Sequence, residues 1–341
     1  MERVFLGALR ADTPGGDDAE GTLGALLEEP ADAYGVSHHL CERGERWQLR
    51  EFAAHRSAYH LKEADPHAWV IPRLRGRAKA SLVAVEFDEF GGGRAEAVHA
   101  VLFAGLMDDL GLDSRYGRYL DLVPAPMLAI VSMMSLFGLH RGLRGAMVGH
   151  FAAAEITTAP AARRMARAAR RLGAGPRCVR FYTEHIEADA VHEQVLRHEV
   201  VGDLLAREPE LAADVAFGAQ ATGLLEDRFG EHVLACWRAG RSSLRRPLPS
   251  SPTPRCHRAE RCHAAGRCHG IDVTGPMSRD CCHGADVAGL MSQGWCHRAG
   301  ITRPTRCQNR FRAGRGSCGT GGGWCRRTGS GRWLRRRTTR P

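Results

Sequence analysis

Apolar positions along the first 246 residues recur at helical spacing. Residues 41–61 alternate apolar and polar positions at three- and four-residue intervals, with Trp47, Phe52 and Tyr59 as candidate anchors, and a shorter stretch of the same kind covers residues 23–27. From Leu74 the pattern resumes through Ala78, Leu82, Val83, Val85 and Phe90, and the triplet Gly91, Gly92 and Gly93 stops it. Further helices are predicted from about 94 to 110, from 124 to 139, and from 143 to 156 with an end before Pro160. The Ala/Arg-rich stretch 161–172 predicts another, 179–205 a long one, and 211–244 one or two more. No run of β-branched residues at period two stands out. The fold class is therefore all-α, a bundle of seven or more helices whose interior can host a site built from facing side chains.

Charge and cysteine content change the picture only by dividing the chain. The whole sequence has 341 residues, 12 cysteines and a net charge of +10. Residues 247–341 hold 18 arginines, no lysine and 4 acidic residues, a net of +14, so residues 1–246 carry −4. Nine of the cysteines also lie beyond 246, leaving Cys41, Cys178 and Cys236 in the body. Three scattered cysteines make no disulfide framework, and a reducing, cytoplasmic location is expected. No basic run followed by an apolar stretch opens the chain, so no cleaved signal is expected. The longest apolar stretch, 123–139, contains Pro124 and Pro126 and falls short of the ~20 residues that span a bilayer, so no membrane partner is expected. We read residues 1–44 as an N-terminal segment, Gly/Asp-rich and mobile over its first 20 or so, 45–246 as the functional domain, and 247–341 as a disordered Arg/Gly/Cys-rich tail.

The tail carries five Cys-His dipeptides, at Cys256, Cys262, Cys268, Cys282 and Cys296. Adjacent Cys and His point to opposite sides of an extended chain, and no paired CxxC spacing accompanies them, so a zinc site is not predicted. The mixture of Arg, Gly, Cys, His and Trp is what out-of-frame translation of GC-rich DNA yields. RNA binding by the Arg-rich end is the functional alternative, and nucleic acid is not expected as a partner.

The body carries the chemistry. His185, Asp189 and His192 stand at i, i+4 and i+7 of one predicted helix, which at about 100° per residue places them on a stripe of about 60°. Two imidazoles and a carboxylate on one face suit Fe, Mn or Zn. An exposed face of a charged helix is the plain alternative, since Glu184, Glu187, Glu193 and His198 are near. Glu89 closes an apolar helix before the glycine triplet, His99 opens the next, and Glu155 follows Phe151-Ala152-Ala153-Ala154. Taken singly, each is equally a capped or salt-bridged side chain; as a set on several helices, they are most economically explained by a shared cation. Met127, Met133, Met134, Leu136 and Phe137 read first as plain core and second as the wall of a substrate pocket.

Glu89 with its Asp-Glu-Phe-Gly-Gly-Gly turn, His99, Glu155 and His185-x3-Asp189-x2-His192 resemble the ligand set of the haem-oxygenase-like diiron oxidases and oxygenases, often labelled iron-containing redox enzymes. The flanking segments 61–67, 71–74, 137–141 and 181–185 fit as well, and the resemblance covers about residues 45–245. Phe90 stands where Tyr is more usual. The resemblance implies a seven-helix haem-oxygenase-like bundle that binds two Fe(II) ions and no haem, takes O2 as cosubstrate, and oxidises a small organic substrate. It implies that Glu89 and His99 serve one iron, that Glu155 bridges or caps the pair, and that His185, Asp189 and His192 complete the site. Members that hydroxylate amine nitrogens use an extra carboxylate, and Glu63 is the matching position, which leans the expectation to N-oxygenation. In Lys62-Glu63-Ala64-Asp65, Glu63 equally reads as a surface or capping residue. Oxidative decarboxylation, desaturation and C–C cleavage remain open on the same ligands, as does a non-catalytic iron-binding bundle. An external electron donor and a homodimer are further expectations. A haem oxygenase would not need carboxylates on several helices, and a thiaminase-like reading lacks a His paired with Cys41, Cys178 or Cys236.

Overall fold

The structure, a computed structural model, describes residues 1–248, apart from the side chains of Glu187 and Asp189. The expectations for the tail beyond them lie outside the described residues. Those residues form helices and no strand. No single helix among them is long and apolar enough to cross a membrane.

The N-terminal segment contains three helices, α1 (Glu2–Asp12), α2 (Ala19–Ala25) and α3 (Val36–Glu42), where the Gly/Asp content had predicted mobility over the first part. Tertiary contacts explain the difference. Leu9 and Leu23 are buried, Arg10 pairs with Asp214 at 2.9 Å, and Arg228 donates to Asp12 at 2.8 Å. Gln220 binds both the N–H and the carbonyl of Gly15.

Helix α4 (Arg46–His60) starts at Glu45, whose backbone N–H donates to the Gln48 side chain at 2.8 Å in a capping box. Leu49, Ala53 and Ala58 are buried, on more than one face of the helix. After Glu63 the chain turns through Ala64, a non-glycine residue at φ 73, into the short α5 (Asp65–Ala68). That left-handed turn costs about 1 kcal/mol or more. It leaves Glu63 and His67 both buried. Helix α6 (Gly76–Glu89) ends at the glycine triplet, all three members of which have positive φ. A Cβ at Gly91 would collide with the backbone of Ala97 and Val98, so glycine there is what lets the chain fold back to start α7 (His99–Asp109).

Helix α8 (Ala125–Leu139) leads to α9 (Arg144–Arg171), which packs along the later helices α10 (Pro176–Gln194) and α12 (Ala212–Arg238). The pattern had predicted two helices separated before Pro160; the structure runs them into one with Pro160 inside. Proline there cannot donate to Ile156, and the hydroxyls of Thr157 and Thr158 donate to Ala153 and Ala154 carbonyls in the turn before it. Two buried faces on either side of Pro160 hold the segment helical despite that cost. Gly149 of α9 lies against the Val215 carbonyl and Gly218 of α12 against the Ala146 carbonyl, too close for a Cβ on either, so the two backbones meet directly. The predicted helix over 179–205 is α10, a π-helical stretch Val195–Val201, and α11 (Gly202–Arg207). Asp109 at the end of α7 accepts from the backbone N–H groups of Arg177 and Cys178, capping the start of α10 and setting the two helices side by side. Glu51 of α4 accepts from the Trp237 indole and from both the backbone and hydroxyl of Ser243, closing the segment after α12 onto α4.

Candidate metal centre

Three helix ends and two helix middles bring the site together. Glu63 follows α4, Glu89 is the last residue of α6, His99 the first of α7, Glu155 lies midway along α9, and His185 and His192 stand on α10. All six are buried among apolar neighbours. Their ligand atoms form two groups, Glu63–His99–His185 and Glu89–Glu155–His192, within each of which the atoms lie no more than 4.8 Å apart. Of the candidate metal ligands named from sequence, only Asp189 cannot be placed, because its side chain is outside the described ones.

The two groups touch through Glu89. One of its oxygens lies 2.8 Å from His99 Nδ1 and the other 3.4 Å from His192 Nδ1. The grouping differs from the one the resemblance implies: Glu89 reaches both groups, and Glu155 belongs with His192, 3.2 Å from its Nδ1. His99 and His185 lie with ring centroids 4.5 Å apart. Glu63 accepts from His60 at 2.6 Å through Oε1, the oxygen that is 3.7 Å from His185 Nε2.

Several features fit a pair of bound cations. The His99–Glu89 contact is short but misaligned for a hydrogen bond, as two ligands of one ion would be. Glu63 Oε2 is buried with no hydrogen-bond partner among the described residues. Two of the imidazoles have one nitrogen already engaged. His185 Nδ1 donates to the Phe181 carbonyl at 2.7 Å, and its Nε2 faces Glu63 Oε1 at 3.7 Å. His192 Nε2 lies 3.4 Å from Asp88, which leaves Nδ1 facing Glu155 and Glu89. Metal-binding histidines are held in this way, by an acceptor on the far nitrogen. The donor set, carboxylate oxygen and imidazole nitrogen, suits iron.

Without a cation, protons and ion pairs balance the carboxylates. Burial alone would raise Glu89, but His192 and His99 outweigh it and hold its carboxyl at about 2. Burial opposes charge on His192 too, yet Glu155 and Glu89 beside it keep it protonated up to about 11. Burial raises Glu155, with the nearby Glu89 adding to the effect. Glu63 is held well below the usual carboxylate range because His60 and His185 overcome its burial. One turn before Glu89, Glu86 is buried with neither oxygen hydrogen-bonded, and burial with the charges of Glu89 and Glu155 pushes it up to about 9.

The centre opens onto a cavity of about 570 Å³ lined from α4, α9, α10 and α12, with Glu63, Glu89, Glu155 and His185 in its wall. Of the five α8 residues considered as a pocket wall, Met134 lines it; Met127, Met133, Leu136 and Phe137 are buried core. Sequence reasoning missed His60, Asp88 and the Phe181 carbonyl as partners of the candidate ligands. It also missed His67 and His150, buried in the cavity wall. Burial pushes the Cys178 thiol up to about 12, away from the thiolate form, and Cys41, Cys178 and Cys236 form no disulfide among the described residues; contrary to the expectation from sequence, Cys236 does have a histidine beside it, His232 Nε2 at 4.0 Å from its Sγ.

An all-helical bundle with buried carboxylates and imidazoles on five segments is the architecture of a helical metalloenzyme. Residues 50–227 match the family described as iron-containing redox enzymes, whose pattern is haem-oxygenase-like, and the chain belongs to that family. Within it, the chain is 24% identical over 188 residues to a nitrosourea synthase of Streptomyces achromogenes subsp. streptozoticus. The match takes in 55% of this chain and 39% of that relative, so the chain spans well under half of the relative's length.

Proposed function

We propose that the protein is a non-haem diiron oxidase or oxygenase that uses O2 to oxidise a small organic substrate, with an amine nitrogen as the favoured position of attack. The observation that carries this reading is the pair of adjacent buried groups, Glu63–His99–His185 and Glu89–Glu155–His192, joined through Glu89. Two Fe(II) ions held there would supply the electrons with which O2 is reduced.

The remaining steps fall to the chain's own residues. Phe181 and Asp88 orient His185 and His192 so that each presents one nitrogen inward. A cation held there would take the place of the proton that His192 holds between Glu155 and Glu89, and Glu89, ionised down to about 2, is ready as an anion at any physiological pH. Burial of all six ligands keeps bulk water away from the oxidising centre. Glu86 keeps a proton at neutral pH within the field of Glu89 and Glu155, a reserve for a reaction that ends in water or a hydroxylated product. An external donor would return the electrons.

Attack at nitrogen is favoured by two things. Glu63, the extra carboxylate that the resemblance ties to amine hydroxylation, is turned inward next to His185. The name of the relative, a nitrosourea synthase, specifies a product with an oxidised nitrogen. The test is anaerobic loading with Fe(II), addition of O2, and mass spectrometry of a panel of amines and fatty acids. A +16 product on an amine is expected. Oxidation of the fatty acids alone would move the assignment to decarboxylation or desaturation, and iron binding without substrate-dependent O2 uptake would leave a non-catalytic iron protein.

A further inference from the structure

His67 and His150 take no part in either ligand group, yet both are buried, at 2% and 1% exposure, and both line the cavity. His67 lies flat on Phe151, with ring centroids 4.0 Å apart and planes 8° apart, and sits 5.2 Å from the His150 ring. Neither of its nitrogens has a hydrogen-bonding partner among the described residues, and neither does His150 Nε2. Three such nitrogens in one pair is a heavy cost, since each buried polar group without a partner loses the hydrogen bonds it made to water.

The tautomer of His150 follows from its neighbours. Thr222 donates its hydroxyl to the Gly218 carbonyl at 2.8 Å, so its oxygen can only accept from His150 Nδ1, also at 2.8 Å. Nδ1 therefore carries the proton and Nε2 is a bare acceptor. His67, kept neutral to about pH 4 by burial, offers one N–H and one acceptor nitrogen. A carboxylate would bring only acceptors to this pair and would face the lone pair of His150. An ammonium would bring only donors and leave the His67 N–H unmet. A group with an N–H beside a carbonyl answers both.

We propose that His67 and His150 form a positioning site for an uncharged substrate group that both donates and accepts hydrogen bonds, of the carboxamide kind, and so hold the substrate in the cavity that the metal ligands line. As a statement about substrate class it rests on the oxidation reading above; as a statement about binding it does not.

The probe is acetamide, with N,N-dimethylacetamide as the acceptor-only control and acetate as the charged one. Full-length protein labelled with 15N-histidine is titrated with each, and long-range 15N–1H spectra report the protonation and hydrogen bonding of each ring. Acetamide is expected to move the His67 and His150 signals saturably, and neither control should. His67→Phe keeps the stack on Phe151 and should weaken acetamide binding about tenfold, the worth of one buried hydrogen bond. Thr222→Val, which releases the His150 tautomer, should do the same, with melting temperature and iron content of both variants measured to show that they are folded. Absence of an acetamide response, an equal response to either control, or unchanged binding in the folded His67→Phe variant would overturn the proposal. The iron content of the same samples separates the two readings: two irons with no acetamide response sinks only the positioning site, and an acetamide response with fewer than two irons sinks only the diiron centre.

Discussion

Asp88 and Glu86 show how much at this centre depends on residues that bind nothing themselves. Asp88 is exposed on its outer side but receives His192 Nε2, and with it the orientation of the one imidazole placed between Glu155 and Glu89. Asp88→Asn should lower iron affinity about 10- to 100-fold, the usual effect of losing such a partner, without unfolding the protein; competition with a chelator measures it. Glu86 behaves oppositely. Its folded-state value of about 9 lies above the ordinary 4.5, so the folded metal-free protein keeps a proton that the unfolded chain releases. Its burial therefore costs stability increasingly as pH rises from about 4.5 to about 9. Glu86→Leu should raise the melting temperature of the metal-free protein at pH 8 and change it much less at pH 4.5, as calorimetry at the two pH values would show. Glu89, His99 and Glu155 stood out in the sequence because charge on an apolar helix face demands an explanation, His185 and His192 because they share one helix stripe, and Glu63 only through the resemblance. Their partners did not: Asp88 reaches His192, and His67 meets His150, through contacts between segments that periodicity along one segment does not reveal, while His60 and the Phe181 carbonyl, three and four residues from Glu63 and His185, carry no mark in composition.

Among the elements, the link from α6 to α7 controls the site most directly. Gly91 sits at φ 82 with the Ala97–Val98 backbone where its Cβ would be, and this close fold-back is what sets His99 at 2.8 Å from Glu89. Gly91→Ala should cost about 1–3 kcal/mol from its backbone conformation alone and more from the collision, and it should lose iron from the site that includes His99. Thermal melting and metal analysis together check this, and a variant with normal iron would contradict it. The glycine triplet was visible in the sequence as a helix stop, as were the starts of α8 at its prolines and the inward stripe of α10. Three features were not. Pro160 looked like a boundary because its local cost is plain, whereas the packing of α9 against α10 and α12 on both sides of it is tertiary. The π-helical turn Val195–Val201 after His192 leaves no mark in composition. Helix α1 was hidden by the Gly/Asp-rich residues after it, since its support comes from Asp214 and Arg228 far along the chain.

For the molecule as a whole, the metal-free centre is a store of protons. His192 keeps its charge up to about 11, far above the ordinary 6.5, so the ion pairs it makes stabilise the metal-free fold fully below about 6.5 and are lost only as pH rises through about 11. Glu89, held at about 2, stabilises above its ordinary 4.5 and is lost as pH falls through about 2. Between these limits a cation must evict the His192 proton to enter. Iron affinity should accordingly rise about tenfold per pH unit for each proton released, and pH-dependent titration with a proton count measures it. A net charge of +10 had obscured this centre, because the basic excess belongs to residues 247–341 and the body that holds the centre carries −4. The proposed function requires this body to hold two irons, one with Glu63, His99 and His185 and one with Glu89, Glu155 and His192. Anaerobic titration of the full chain with Fe(II), followed by Mössbauer spectroscopy of the oxidised protein, tests it most directly: two equivalents of iron with a magnetically coupled diferric signal are expected, and saturation at one equivalent, or an uncoupled signal, would contradict it.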